Sequence, residues 1–211
     1  MQVDRHAAAQ AGARARARRG TASGGVAGNS RLTAVTAAVL LVLLAVEGLT
    51  LLSLQSLLSW HIFVGMLLVP IVGLKLASTG YRFVRYYSGD RDYVRAGPPA
   101  TALRLLGPLV IVSTAGLFAT GVTLAAVGPG GGVVLGLHKA SFVVWFAAMT
   151  IHVLAHLLRL PALIGPDIRG GEGVGGSRLR LATLAAVVVA GAVLAVATIP
   201  LISPWTHWIG H

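Results

Sequence analysis

Long apolar runs separated by short polar breaks dominate this chain. Five stretches, residues 33–58, 61–78, 102–126, 133–158 and 181–202, fall in or just beyond the range of about 17–25 mostly apolar residues that lets an α-helix cross a bilayer core. The first carries a single charge, Glu47, the second carries Lys75 and Pro70, and the fifth carries none. The pattern predicts an all-α fold, an integral membrane helical bundle of five transmembrane helices. Pro70 frees the carbonyl of Met66 and is expected to kink the second helix. Pro161 ends the fourth helix, residues 128–132 make a tight turn, and the glycines of 170–176 make a flexible loop. Gly65, Gly73, Gly116 and Gly121 offer places where membrane helices approach closely.

Composition supports the same class. Charged residues are 11% of the 211, against ~25% in an average soluble protein. There is no cysteine, which excludes disulfides, thiolate metal sites, iron–sulfur clusters, cysteine nucleophiles and covalently attached haem. The net charge of +11 would suit a nucleic-acid binder, but its distribution does not. If the five helices alternate in direction, all the arginines lie on or beside one side: the N-terminal tail, the 80–101 loop and the 159–180 loop. By the positive-inside rule the N-terminus is cytoplasmic, the C-terminus is outside, and the chain is a multi-pass protein of the cell membrane. Trp60, Trp205 and Trp208 then mark the outer interface, with a turn at Ser59 and Trp60. Tyr81, Tyr86, Tyr87 and Tyr93 mark the inner one, where 81–95 is expected to lie along the membrane surface. Four regions follow: a disordered basic tail (1–31), a bundle (32–159), a cytoplasmic loop (160–180), and a fifth helix with an outer tail (181–211). The first apolar run is longer than the 7–15 residues of a signal peptide's apolar region, which favours an uncleaved anchor.

Four of the seven histidines fall within the apolar runs: His61, His138, His152 and His156. Ionisable residues at membrane depth are functional candidates by default. His61 and His138 lie near the outer ends of two different helices, where facing imidazoles can take both axial positions of a haem iron. His152 follows His138 by fourteen residues, nearly in phase and ~21 Å along the axis. His156 lies on the same face, and Phe142, Trp145 and Met149 fill the stripe between. His152 and His156 project from one side of one helix and cannot be opposite ligands of one iron. One of them instead serves a second site, a quinone or a proton path, or the helix end. Lys75 follows His61 by the same fourteen residues. It has three readings: snorkelling to headgroups, pairing with a haem propionate, or axial ligation as a neutral amine. Glu47 is expected near mid-membrane, protonated or passing protons to a quinone, and too far along the axis from Lys75 to pair with it.

The stretches HIFVGMLLVPIVGLKLASTGYRFVRYY and LHKASFVVWFAAMTIHVLAHLLR resemble the four-helix membrane cytochromes b. That group includes the bacterial cytochrome b-561 family and the membrane subunits of formate dehydrogenase and nickel–iron hydrogenase. The resemblance covers about 33–159, leaving the fifth helix as an addition to a four-helix haem-binding core. It implies one or two b haems, with His61, His138 and His152 at metal-ligand positions. It also implies electron transfer between quinone and a soluble or peripheral oxidoreductase subunit, without a substrate-converting site of the chain's own. The chain departs from the family near the cytoplasmic end of the first helix, where no histidine stands among Asn29, Ser30, Arg31, Leu32 and Thr33. The alternative class is a non-haem multi-pass protein, a transporter or an assembly factor.

Overall fold

The computed structural model describes residues 25–97, 101–157 and 176–209. His6, His211 and most of the expected tail and 160–180 loop lie outside them, as do the side chains of His156 and Trp208. The described residues form helices and no strands. In chain order they are α1 (Gly25–Thr50), a 3-10 turn (Leu51–Ser53), α2 (Leu54–Tyr87), α3 (Arg91–Arg95), α4 (Thr101–Val127), α5 (Gly132–Leu157), α6 (Ser177–Ala197), a second 3-10 turn (Ile199–Ile202) and α7 (Ser203–Ile209).

Four stretches are long and apolar enough to cross a membrane: Gly25–Tyr87, Arg104–Val127, Gly132–Ala155 and Ser177–Ala197. This differs from the expected five because the first stretch, 63 residues long, contains both α1 and α2 joined through a helical turn. The turn lies at Leu51–Ser53 rather than at Ser59 and Trp60, which sit inside α2. Hydroxyls close it: Thr50 Oγ1 donates to the Glu47 carbonyl (2.6 Å) and Ser56 Oγ to the Ser53 carbonyl (3.1 Å). Short polar side chains that satisfy the last carbonyls of a helix favour its ending there. Helix α1 also begins at Gly25, within the stretch expected to be tail.

Helix α2 runs without interruption through Pro70 to Tyr87. It therefore continues as a helix where the sequence suggested a chain lying on a surface. Gly89, at φ +78°, turns the chain after it, and Asp90 caps α3 by accepting from the backbone N–H groups of Asp92 and Tyr93. Asp90 also pairs with Arg85, and Tyr81 meets Tyr93 edge to face at 6.0 Å. These contacts fold α3 back on the end of α2.

Helix α2 is the centre of the packing, with α1 along one side and α6 along another, while α4 and α5 form a separate hairpin beside them. Leu40, Val64, Leu68 and Ile71 form the main core, covered by Phe118 of α4 and by Val187 and Val188 of α6. A second cluster, Met66, Ala125 and Ala195, is covered by Leu201, which ties the C-terminal segment across α2, α4 and α6. Outward apolar side chains such as Val112, Val143, Leu154 and Val193 stay more than 60% exposed. Four apolar helices with exposed apolar surface are compatible with a membrane protein.

The small residues serve unequally. A Cβ at Gly191 of α6 would strike the backbone carbonyl of Leu67 on α2, so these helices meet almost backbone to backbone. Gly73, expected at a close contact, has nothing near it. Gly191→Ala is expected to lower stability by about 1–3 kcal/mol, because backbone cannot yield as a side chain would. Thermal unfolding in detergent, with Gly73→Ala as the silent control, measures it.

Tyr93 is buried at the α2–α3 contact, and burial pushes its phenol above the usual tyrosine value, with Tyr81 adding to the rise. A folded pKa above the unfolded one means that the docking of α3 is stable below about pH 10 and weakens as pH rises through the higher folded value. Ultraviolet titration should therefore show Tyr93, identified by its loss in Tyr93→Phe, ionising above the usual tyrosine value, with α3 becoming protease-sensitive in the same range.

Candidate functional site

Two antiparallel hairpins bring the site together. In the first, Lys75 Nζ donates to the Thr33 carbonyl (3.0 Å), and Glu47 Oε1 lies 2.9 Å from His61 Nδ1. Both pairs have their midpoint at residue 54. A turn centred on Ser59 and Trp60 would have set Glu47 opposite Val72 instead. In the second hairpin, Trp145 Nε1 donates to Thr114 Oγ1 (3.0 Å), and Thr120 Oγ1 lies 3.0 Å from His138 Nδ1. The inward stripe of α5 expected from phase is present: His138, Phe142, Met149 and His152 are half-buried and Trp145 is buried, while Val143, Val144, Phe146 and Ile151 face out. His156 lies on the last turn of the same helix.

The two hairpins meet at His61 and His138, whose ring centres are 6.5 Å apart with planes inclined at 74°. Hydroxyl protons define the tautomers. Thr120 has one hydroxyl hydrogen, and it is directed to the carbonyls of Gly116 (2.7 Å) and Leu117 (3.0 Å). Its oxygen must accept from His138, so Nδ1 of His138 carries the hydrogen. Thr50 likewise donates to the Glu47 carbonyl, so its oxygen, 3.1 Å away, accepts from Nδ1 of His61 alongside the Glu47 carboxylate. In the neutral form of each ring, Nε2 is then the nitrogen with a free lone pair. Metal-binding histidines are oriented in this way, by a carboxylate or another acceptor on the far ring nitrogen.

Space and charge add detail. A Cβ at Gly121 would lie 3.1 Å from Cε1 of His138, a tight approach that glycine leaves open to the ring. Gly65 faces Glu47 Oε1, where an added Cβ would make only ordinary contact at 3.6 Å. Glu47 Oε2 is buried and has no hydrogen-bond partner among the described residues. A buried unpaired oxygen costs about 1–3 kcal/mol and marks a site where the fold retains a polar group for another reason.

Glu47 takes a different place in the hairpin from the one its apolar run suggests. It stands on the last turn of α1, one turn before Thr50, because the helix ends earlier than its apolar run suggests. Glu47, Thr50 and Thr120 were missed as partners of the histidines. The signal for the first two was their i, i+3 spacing, which puts them on one helix face. Lys75 is half-buried at the other end of the hairpin, in a polar cluster where Asn29 Nδ2 donates to the Ser78 carbonyl (3.1 Å) and Thr33 Oγ1 to Ser78 Oγ (3.0 Å). It joins α1 to α2 there and is not brought to His61. No group of three or more potential metal-binding side chains occurs among the described residues, so the pair of imidazoles is the ligand set to consider.

Comparison with protein-family models, curated proteins and solved structures finds no match.

Thr120→Val keeps shape and removes the acceptor for His138 Nδ1. It should lower stability by about 1 kcal/mol, the net worth of one hydrogen bond at a part-buried site. Thr120→Ser should retain most of the stability, as read by denaturant unfolding of the detergent-solubilised chain.

Proposed function

We propose that this chain is a membrane-embedded b-type cytochrome that relays electrons between the quinone pool and an extracytoplasmic redox partner. The observation that carries the reading is the His61–His138 pair, with each Nδ1 hydrogen-bonded and each Nε2 left to coordinate. With ring centres 6.5 Å apart on two different helices, the two imidazoles are near enough that both would hold one metal centre. In this reading His61 and His138 would hold the haem iron through Nε2. Glu47, Thr50 and Thr120 hold the rings in orientation, and the apolar faces of α2, α4 and α5 exclude water. A b haem held there supplies one-electron chemistry, its potential set by the axial ligands, their hydrogen bonds and burial.

Counted separately, α1, α2, α4, α5 and α6 give five spans. The antiparallel packing sets the Leu51–Ser53 turn, the 128–131 turn and the Ile199–Ile202 turn at one end. Arg31, Arg82, Arg85, Arg91, Arg95, Arg104, Arg178 and Arg180 belong to the other. That asymmetry supports a cytoplasmic N-terminus in the cell membrane and a haem near the outer face. Lys75 is engaged by Thr33 and is assigned no axial role, and the reading commits to one haem per chain, bound by His61 and His138.

A dithionite-minus-oxidised spectrum of the purified, haem-supplemented chain should show a b-type α-band with about one haem per polypeptide. His61→Ala and His138→Ala should each abolish it, and Lys75→Met should leave it in place. Absence of the band, or its survival in both histidine variants, would return the chain to the non-haem class.

A further inference from the structure

Helix α2 is 34 residues long, or ~51 Å at 1.5 Å per residue, whereas the hydrocarbon core of a bilayer is ~30 Å thick. Starting from Leu54, that core is crossed by about the level of Lys75 and the Ser78 cluster. The last turns, Tyr81–Tyr87, then stand roughly 9–18 Å beyond Lys75, at the headgroup layer and past it. Helix α3 is folded back to the same level by the Arg85–Asp90 pair and the Tyr81–Tyr93 contact.

This small headpiece presents two chemistries at one level. Phe83, Val84 and Tyr87 are each more than 60% exposed. At the same level Arg91 and Arg95 are exposed, one helical turn apart, and Arg82 is half-exposed. Among the described residues none of these three has an ion-pair partner, because Asp90 is engaged by Arg85 and Asp92 is the one remaining acid in the headpiece. Apolar and aromatic side chains continuous with a spanning helix, and free arginines at headgroup level, complement a surface that is apolar below and anionic above. An acidic soluble partner would answer the arginines but not the exposed Phe83, Val84 and Tyr87 at headgroup level.

We propose that the end of α2 together with α3 binds the phosphate headgroups of anionic phospholipid, with Arg82, Arg91 and Arg95 as the cations. The inference rests on the membrane-spanning reading above and is independent of haem. Each arginine near an anionic surface should raise the preference for anionic over zwitterionic lipid by roughly five-fold.

The full chain, purified in detergent and offered equal amounts of phosphatidylglycerol and phosphatidylcholine, can be assayed for retained lipid by native mass spectrometry. Phosphatidylglycerol should be retained preferentially. The preference should disappear in a variant carrying R82Q, R91Q and R95Q and persist when the same three positions are lysine, with helix content by circular dichroism unchanged in both. Equal retention of the two lipids, or an undiminished preference in the glutamine variant, overturns the proposal. So does displacement of the lipid by an equal concentration of inorganic phosphate, or retention of an acidic protein in place of lipid. A chain that shows the haem band without lipid preference removes this inference alone. A chain that stays monodisperse without detergent removes the membrane reading beneath it.

Discussion

The register of the α1–α2 hairpin is the constraint on which the rest depends, and a few polar side chains set it. In helices this apolar, a carboxylate, an ammonium group or an amide has few places to find a partner, and leaving it unpaired is costly. Glu47 reaches His61 at one end of the hairpin, while Asn29, Thr33, Lys75 and Ser78 interlock at the other. A slip of one residue along the hairpin would disturb both groups together. With α1 held in this way, α2 can present its other faces to α6 and to the α4–α5 pair.

From that register the histidine pair follows. His61 is oriented from α1 and His138 from α4, so each ring is held by a helix other than its own. The two hairpins make limited contact elsewhere along α2 and α5. Close packing holds α6 against α2, where Gly191 meets Leu67, and the Leu201 cluster anchors the C-terminal segment at the same end of the bundle as the histidines. The site is therefore bounded by packed helices, and its polar groups are accounted for except Glu47 Oε2.

Much of this was legible along the chain. The apolar runs identified the helices of the fold, and the spacing of His138, Phe142, Trp145, Met149 and His152 located the inward face of α5. Two histidines at similar depth on different helices were also visible, because depth is counted in residues from a helix end. Counting failed at the first turn. The apolar run continues past Thr50 with no charge to mark a boundary, and the hydroxyls of Thr50, Ser53 and Ser56 were too slight a signal against the tryptophan that suggested a turn eight residues later. That difference in register hid the partner of Glu47.

Sequence alone determined the class of element, the side of the bundle that gathers arginine, and which titratable groups stand in apolar surroundings. Those follow from composition and from the 3.6-residue period, which are local properties. Only the tertiary structure decided that Glu47 belongs to His61, that Lys75 belongs to Thr33, that Thr120 orients His138, and that α2 extends beyond the others to carry α3. Each is a matter of which residues two helices bring to the same level. That depends on where a turn closes and how nearly two backbones approach, and neither is written in the periodicity of a single helix.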